Sequence, residues 1–349
     1  MDRNKKIAII GHFGGNENIL DGQTIKTKIL YEELKRSSNF CIHKVDTYYK
    51  KQNPIKLLKD TLSCLLTTKD IIVLLSGNGM RFYFPLLFFC NKVLKTRIYH
   101  DVIGGNLDQY VCENIKFKKY LNSFEVNLVE TKSMEEKLTL LGISNCEVMP
   151  NFKRLNIVNL KYEESKKPYK FCIFSRVMKE KGVEDAIKAV ERINSKRGEK
   201  ICELDIFGRI DEGYKEAFDL IMSDSSESIS YKGMVPYDKS VETIKDYFAL
   251  LFPTYWSGEG FPGTIIDAFS AGIPVIATDW NCNSEIIENY KNGIVYPSEK
   301  IQDLETAMEW LMTNECNIMS YKENCVNAAK KYQPDRHIAR IIELIEQRL

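Results

Sequence analysis

Glu259 and Asp267 stand eight positions apart, with Gly260-Phe261-Pro262-Gly263-Thr264-Ile265-Ile266 between them. An apolar strand, Ala249–Phe252, ends at Pro253 just ahead of them, and a loop carrying Trp256, Gly258 and Glu259 follows. Pro262-Gly263-Thr264 then opens a helix, because proline suits a first helical turn. The free amides of such a helix start suit a phosphate, and an open α/β sheet binds its ligands where the strands end. One acid could accept hydrogen bonds from a sugar and the other from a ribose diol, since each carboxylate oxygen takes one hydroxyl. The same spacing also fits a capping acid on an ordinary amphipathic helix.

Other residues carry chemistry of the same kind. Ser175-Arg176-Val177-Met178-Lys179-Glu180-Lys181-Gly182 lies between a strand, Tyr169–Phe174, and a helix, Gly182–Ile193. The fork of Arg176 and the point charge of Lys181 suit a pyrophosphate leaving group, or make an ordinary charged loop. Gly11-His12-Phe13-Gly14-Gly15 follows the first strand, Lys5–Ile10. It lacks the spacing of a dinucleotide fingerprint, but glycine lets a backbone approach a ligand closely. Gln23 and Lys26 open the next helix and could meet an acceptor, or simply cap and solvate it. His100, one of four histidines, ends a strand beside Asp101.

Strands alternating with helices position all of these. Apolar runs at Ile71–Leu75, Arg97–Tyr99, Val126–Val129 and Cys146–Met149 continue the first series. A polar stretch, Leu155–Pro168 with Glu163 and Glu164, reads as a linker. A second series then runs through Leu204–Phe207, Ile229–Lys232, Ala249–Phe252, Val275–Thr278 and Gly293–Tyr296. Such alternation means parallel, doubly wound β/α units. The expected domains are 1–160 and 161–332. An amphipathic helix near 333–349 is expected to pack back on the first domain.

Composition narrows the partners. Residues 1–160 hold 24 Lys and Arg against 16 Asp and Glu, or +8, while the remainder holds 25 against 32, or −7. A basic first half suits an anionic partner. No nucleic-acid-binding motif is present, so nucleic acid is not expected. The ten cysteines form no C-x-x-C pair and read as buried free thiols of a reducing cytosol. Phe82–Cys90 is too short to span a membrane. With Arg81, Lys92 and Lys95 at its edges, it suits an interfacial helix or a buried one.

The run Glu-Gly-Phe-Pro-Gly-Thr-x-x-Asp-Ala-Phe-Ser-Ala-Gly-Ile-Pro-Val-Ile-Ala-Thr-Asp from Glu259, continued by Ser284-Glu285-Ile286-Ile287 and Asn292-Gly293, resembles the family 4 retaining glycosyltransferases, also called glycosyl transferases group 1. Its flavour is that of bacterial capsule and surface-polysaccharide enzymes. The family pattern is usually Glu-x7-Glu, and here the shorter Asp267 holds the second place. Arg176 to Gly182 resembles the family's Gly-Arg-x5-Lys-Gly, with Ser175 for the glycine. Ile206-Phe207-Gly208-Arg209 and Tyr231–Pro236 resemble later segments.

The resemblance implies an α/β fold of the GT-B kind, two Rossmann-like β/α/β domains facing a central cleft. It assigns Glu259 and His100 to catalysis at the sugar and Asp267 to the ribose. Arg176, Lys181, Gly14, Gly15 and the helix start Pro262, Gly263 and Thr264 go to the donor diphosphate. Gly233, Met234 and Val235 go to the nucleobase, while Gln23 and Lys26 stay the acceptor candidates on their place at the helix start alone. A nucleotide-sugar donor, read as UDP-linked, is expected, with a saccharide or lipid-linked saccharide acceptor. The expected place is the cytoplasm, peripheral to an anionic membrane surface. No cofactor is expected, and no metal: Asp-x-Asp, which would hold one, does not occur. A nucleotide-sugar epimerase of the same fold and a non-catalytic nucleotide-sugar-binding subunit stay open as alternatives.

Overall fold

The computed structural model describes residues 5–17, 21–161, 166–297 and 300–347. Glu163 and Glu164 of the expected linker lie outside that range. The chain forms two compact units, Met1–Arg154 with Gln333–Leu349, and Leu155–Tyr332.

Unit 1 alternates strand and helix in chain order: β1 (Lys6–Gly11), α1 (Gly22–Ser37), β2 (Cys41–Asp46), α2 (Tyr49–Gln52), α3 (Pro54–Thr67), β3 (Asp70–Leu74), α4 (Gly77–Leu94), β4 (Arg97–Asp101), α5 (Leu107–Glu113), α6 (Lys116–Leu121), β5 (Val126–Val129), α7 (Lys132–Leu140) and β6 (Cys146–Val148). Its six strands lie in the order β2-β1-β3-β4-β5-β6, all parallel. Both faces of the sheet are covered, which explains its continuous apolar strands. Ala8 and Ile10 of β1 face a cluster with Tyr83, Phe84 and Leu87 of α4. Ile7 and Ile9 face the opposite cluster with Leu30 and Leu34 of α1. Strand β2 gave no sequence signal because it is an edge strand, and most of its residues are exposed or half-buried.

Unit 2 repeats the theme with β7 (Tyr169–Phe174), α8 (Val183–Arg197), β8 (Cys202–Phe207), α9 (Lys215–Asp224), β9 (Ile229–Gly233), α10 (Ser240–Ile244), β10 (Ala249–Phe252), α11 (Gly263–Ser270), β11 (Val275–Thr278), α12 (Asn283–Ile286), β12 (Gly293–Tyr296), α13 (Ile301–Thr313) and α14 (Ile318–Ala329). Its strand order is β12-β11-β10-β7-β8-β9, again all parallel. Ala186, Ile187, Val190 and Ile193 of α8 cover one face with Met308 and Leu311 of α13. Ile265, Ile266 and Phe269 of α11 cover the other with Cys325 of α14.

The last helix, α15 (Pro334–Glu346), belongs to unit 1. Ile338, Ile341 and Ile345 enter the cluster on the α1 side of the sheet. Pro334 begins the helix, where its missing N–H costs nothing. Among the described residues no helix is long and apolar enough to cross a membrane.

Each strand order reverses direction once, between β1 and β3 in unit 1 and between β7 and β10 in unit 2. At such a switch point the connections leave toward opposite faces and open a crevice at the carboxyl ends of the strands. The chemistry-bearing loops follow those strands.

Candidate functional site in unit 2

Two adjacent strands, β7 and β10, deliver the charged groups. After β7 the chain passes Arg176 and makes a tight turn over Lys179–Lys181 into Gly182, which has φ 69°. A β-carbon at Gly182 would lie 2.1 Å from the Pro253 carbonyl oxygen, so glycine lets the turn sit against the end of β10. The turn is held there by Tyr255 N–H donating to Glu180 O at 2.8 Å. After β10, Thr254, Trp256 and Glu259 follow on one loop.

This geometry pairs the Lys181 ammonium with the Glu259 carboxylate, and both are buried. Thr254 Oγ1 lies 3.2 Å from the same Glu259 oxygen. The Trp256 ring lies 4.9 Å from Lys181 Nζ and 5.9 Å from the Arg176 guanidinium carbon, within cation–π range. Burial pulls the Lys181 pKa below the ordinary lysine value, Glu259 pulls it back up, and Arg176 adds to the lowering. Arg176 itself is half exposed and lies 3.9 Å from Asp211. The loop is fixed from below: Trp280 Nε1 donates to Trp256 O at 2.9 Å, and Asn281 Nδ2 to Glu259 O at 2.9 Å.

Helix α11 starts beside this group. No side chain caps it, and Thr264 Oγ1 donates to Phe174 O at 2.6 Å, tying its first turn to the end of β7. The start formed by Pro262, Gly263 and Thr264 therefore lies at the same switch point as Arg176 and Lys181. Asp267 is placed differently. It is buried, and Ser240 Oγ donates to its Oδ1 at 2.8 Å, so the carboxylate faces α10. Gly233 ends β9 with φ 82°, and after it Met234 is exposed and Val235 packs against the cluster containing Phe261 and Ile265.

In unit 1 the expected residues gather at the strand ends with most donors already engaged. Gly14 and Gly15 have φ 82° and 58°, and Asp46 accepts from Phe13 N–H and Gly15 N–H at 2.8 Å each. Gln23 donates to Leu74 O at 3.2 Å and accepts from Ser76 Oγ at 2.8 Å. Lys26 is buried, with its Nζ 2.7 Å from Asp101, 2.8 Å from Glu130 and 2.8 Å from Val102 O. These three contacts match the three donors of an ammonium. Burial alone would lower the Lys26 pKa, but the two carboxylates raise it above the ordinary value. His100 is fully buried, edge-on to Phe84 and Phe124, with Nδ1 3.0 Å from Asn127 Oδ1. Burial pushes its pKa down to about 4, so the imidazole is neutral at pH 7.

Sequence reading passed over His12. Its Nδ1 lies 2.7 Å from Thr24 Oγ1, which in turn donates to Asp21 Oδ2 at 2.8 Å. A hydroxyl has one proton, and an ionised carboxylate only accepts. His12 Nδ1 therefore donates to Thr24 Oγ1. The signal is a histidine inside a glycine-rich loop, but its hydrogen bond is made to a residue twelve positions away. In the sequence Trp256 reads only as a loop residue, since nothing local places its ring beside two cations. Among the described residues no group of three His, Cys, Asp or Glu side chains is disposed to hold a metal ion.

Known proteins resemble this chain on both levels. An uncharacterised glycosyltransferase of Methanocaldococcus jannaschii is 24% identical over 248 residues, covering 70% of this chain and 59% of that protein. The match thus spans little over half the relative's length. Sucrose-phosphate synthase from Thermosynechococcus elongatus superposes with a TM-score of 0.74 at 14% identity, covering 99% of both chains. Anabaena HepE in complex with UDP and glucose gives 0.72 at 11% identity, covering 99% of this chain and 100% of that one. These likenesses carry the fold, two Rossmann-like domains of the GT-B class. Residues 158–332 match the family described as Glycosyl transferases group 1. That span is half of the chain and holds Arg176, Lys181, Glu259 and α11, so the chain belongs to the glycosyl transferases group 1 family.

Proposed function

We propose that the chain transfers a sugar from a UDP-linked donor to a saccharide or lipid-linked saccharide acceptor, with retention of anomeric configuration and without a metal ion. The observation that carries this reading is the gathering of Arg176, Lys181 and Glu259 at the switch point of the second sheet, beside the uncapped start of α11. In this reading Arg176, Lys181 and the amides of Gly263 and Thr264 receive the diphosphate. Lys181 is released from Glu259 as the phosphate arrives, and Glu259 is freed to hold sugar hydroxyls. The bond from the anomeric carbon to the diphosphate oxygen breaks, and the acceptor oxygen bonds to the same face. The acceptor proton ends on the leaving diphosphate. Positive charge placed where the leaving group develops its own charge lowers the barrier.

The UDP bound to the Anabaena protein supports the choice of base. Surface-polysaccharide synthesis at the inner face of a membrane belongs to the same reading, on the flavour of the Glu259–Asp279 run. Arg176→Ala, Lys181→Ala and Glu259→Ala should each lower transfer by at least about a hundredfold, the scale of a lost electrostatic stabiliser. Assayed against a panel of acceptors, full activity in all three overturns the reading. Epimer formation without acceptor, or donor binding without turnover, would favour the epimerase or the non-catalytic subunit.

A further inference from the structure

We propose that α3 and α4 of unit 1 form one face that docks on an anionic lipid bilayer; this deepens the reading of a lipid-linked acceptor.

Helix α3 is apolar on two sides. Leu57, Cys64 and Leu65 turn inward to the core of unit 1. Ile55, Leu58, Leu62 and Leu66 are exposed, Ile55 at 68% and Leu66 at 77%. At 100° per residue these four fall within an arc of about 80°. Helix α4 repeats the arrangement. Tyr83, Phe84, Leu87 and Cys90 are buried, while Phe82 at 65%, Phe89 at 60% and Val93 at 57% are exposed. These three share an arc of about 40°. The helices touch, because Thr61 Oγ1 of α3 and Tyr83 OH of α4 lie 3.0 Å apart. Two stripes, each about 16 Å long, therefore run on neighbouring helices. Scattered exposed leucines are normal on a protein surface, but a contiguous apolar face is a contact site.

The charge around the stripes selects the partner. From Tyr49 to Lys95 there are eight Lys and Arg against two acids, Asp60 and Asp70, and Asp70 is buried. Arg81 and Lys92 lie on one side of the α4 stripe, and Lys59 lies about 20° beyond the edge of the α3 arc. Helix α6 adds Lys116, Lys118 and Lys119 on the far side, with Lys119 Nζ 4.9 Å from the Phe88 ring of α4. Arg81 has the exposed Glu113 of α5 3.8 Å away, while the other rim residues named are basic. An apolar centre with a mostly basic rim fits an interface between acyl chains and anionic headgroups. A partner protein's apolar groove asks for no such excess of one sign. Long basic side chains can also lay their stems on the apolar face and keep their charge at headgroup level.

The test is co-sedimentation of the full chain with phosphatidylcholine vesicles, with and without phosphatidylglycerol. Binding to the anionic vesicles is expected, weakening with salt. Leu62→Ser with Phe89→Ser should weaken it at least about tenfold. Lys59→Glu with Lys92→Glu should cost roughly fivefold or more for each reversed charge. All four positions are on the surface, so circular dichroism and nucleotide-sugar binding should stay unchanged. Failure to bind either vesicle, binding indifferent to lipid charge, or binding untouched by the apolar substitutions overturns the proposal. So does a concentration-dependent dimer in light scattering that Leu62→Ser with Phe89→Ser abolishes, which would assign the face to a second copy of this chain. Vesicle binding needs no turnover, and transfer to a soluble saccharide needs no vesicle, so this proposal and the proposed activity fail separately.

Discussion

A single side chain here does different work according to what its neighbours leave free. Glu259 and Lys181 are two buried groups paired with each other, and in the proposed reading an arriving diphosphate separates them. Lys26 has no such option, since Asp101, Glu130 and Val102 O meet it together inside the unit. The sequence made the first pair legible, because Arg176, Lys181 and Glu259 stand in motif-like runs beside strand ends. It could not make the second legible: Lys26 and Glu130 are 104 positions apart. The burial of Asp267 was equally hidden, since an acid one turn into a helix reads the same whether it faces solvent or Ser240. His100 gives a prediction at this scale. Its folded pKa is about 4 against an ordinary 6.5, with burial as the first cause. The unfolded chain therefore binds a proton below pH 6.5 that the folded chain refuses. The stability tied to the neutral ring is complete above pH 6.5 and declines as pH falls toward 4, by about 1.4 kcal/mol per unit and about 3 kcal/mol over the span. Urea unfolding of the wild type and His100→Asn at several pH values should show the steeper acid decline in the wild type. Equal slopes would contradict this account of the ring.

Elements were read where periodicity was clean and missed where two faces competed. Strands β3, β10 and β11 are buried along their whole length and appear as short apolar runs. Strand β2 mixes Cys, His, Lys and Asp at a sheet edge and has no period to read. Helix α3 is apolar both inward and outward, so its apolar arc is broad and only a narrow face of Lys56, Lys59, Asp60, Ser63 and Thr67 marks it as amphipathic. The turn between β7 and α8 allows a matched experiment. Gly182 and Gly198, at the two ends of α8, have φ of 69° and 68°. A β-carbon at Gly182 would strike Pro253 O, whereas at Gly198 nothing lies within 4 Å. Gly198→Ala should cost about 1 kcal/mol, the strain of the left-handed backbone alone. Gly182→Ala should cost more than about 2 kcal/mol and weaken donor binding, because the collision displaces either Lys181 or the end of β10. Similar costs in denaturant unfolding would show that the close approach is unimportant.

At the scale of the molecule the chain leaves unit 1 at Arg154, builds unit 2, and returns at Gln333. The return is well tied within unit 1. Arg154 grips Glu33 at 2.6 and 2.7 Å and Asp335 at 2.8 Å, and Arg340 grips Glu147 at 2.8 and 2.9 Å. Ile341 lies in the core there, so Ile341→Ala should destabilise unit 1 by about 2–5 kcal/mol. Nucleotide-sugar affinity at low temperature should be largely kept, because in the proposed reading Arg176, Lys181 and Glu259, which hold the donor, belong to unit 2. Lost affinity in a still-folded variant would contradict that division of labour. The central claim is that unit 2 holds a nucleotide diphosphate sugar on Arg176, Lys181 and Glu259, and calorimetric titration of the full chain with UDP-, GDP- and ADP-sugars tests it most directly. The account predicts saturable binding strongest for a UDP-sugar and weakened at least about tenfold by Arg176→Ala or Lys181→Ala, each being a charge-assisted contact. No binding of any nucleotide sugar, or the same affinity in the wild type and both variants, would contradict it.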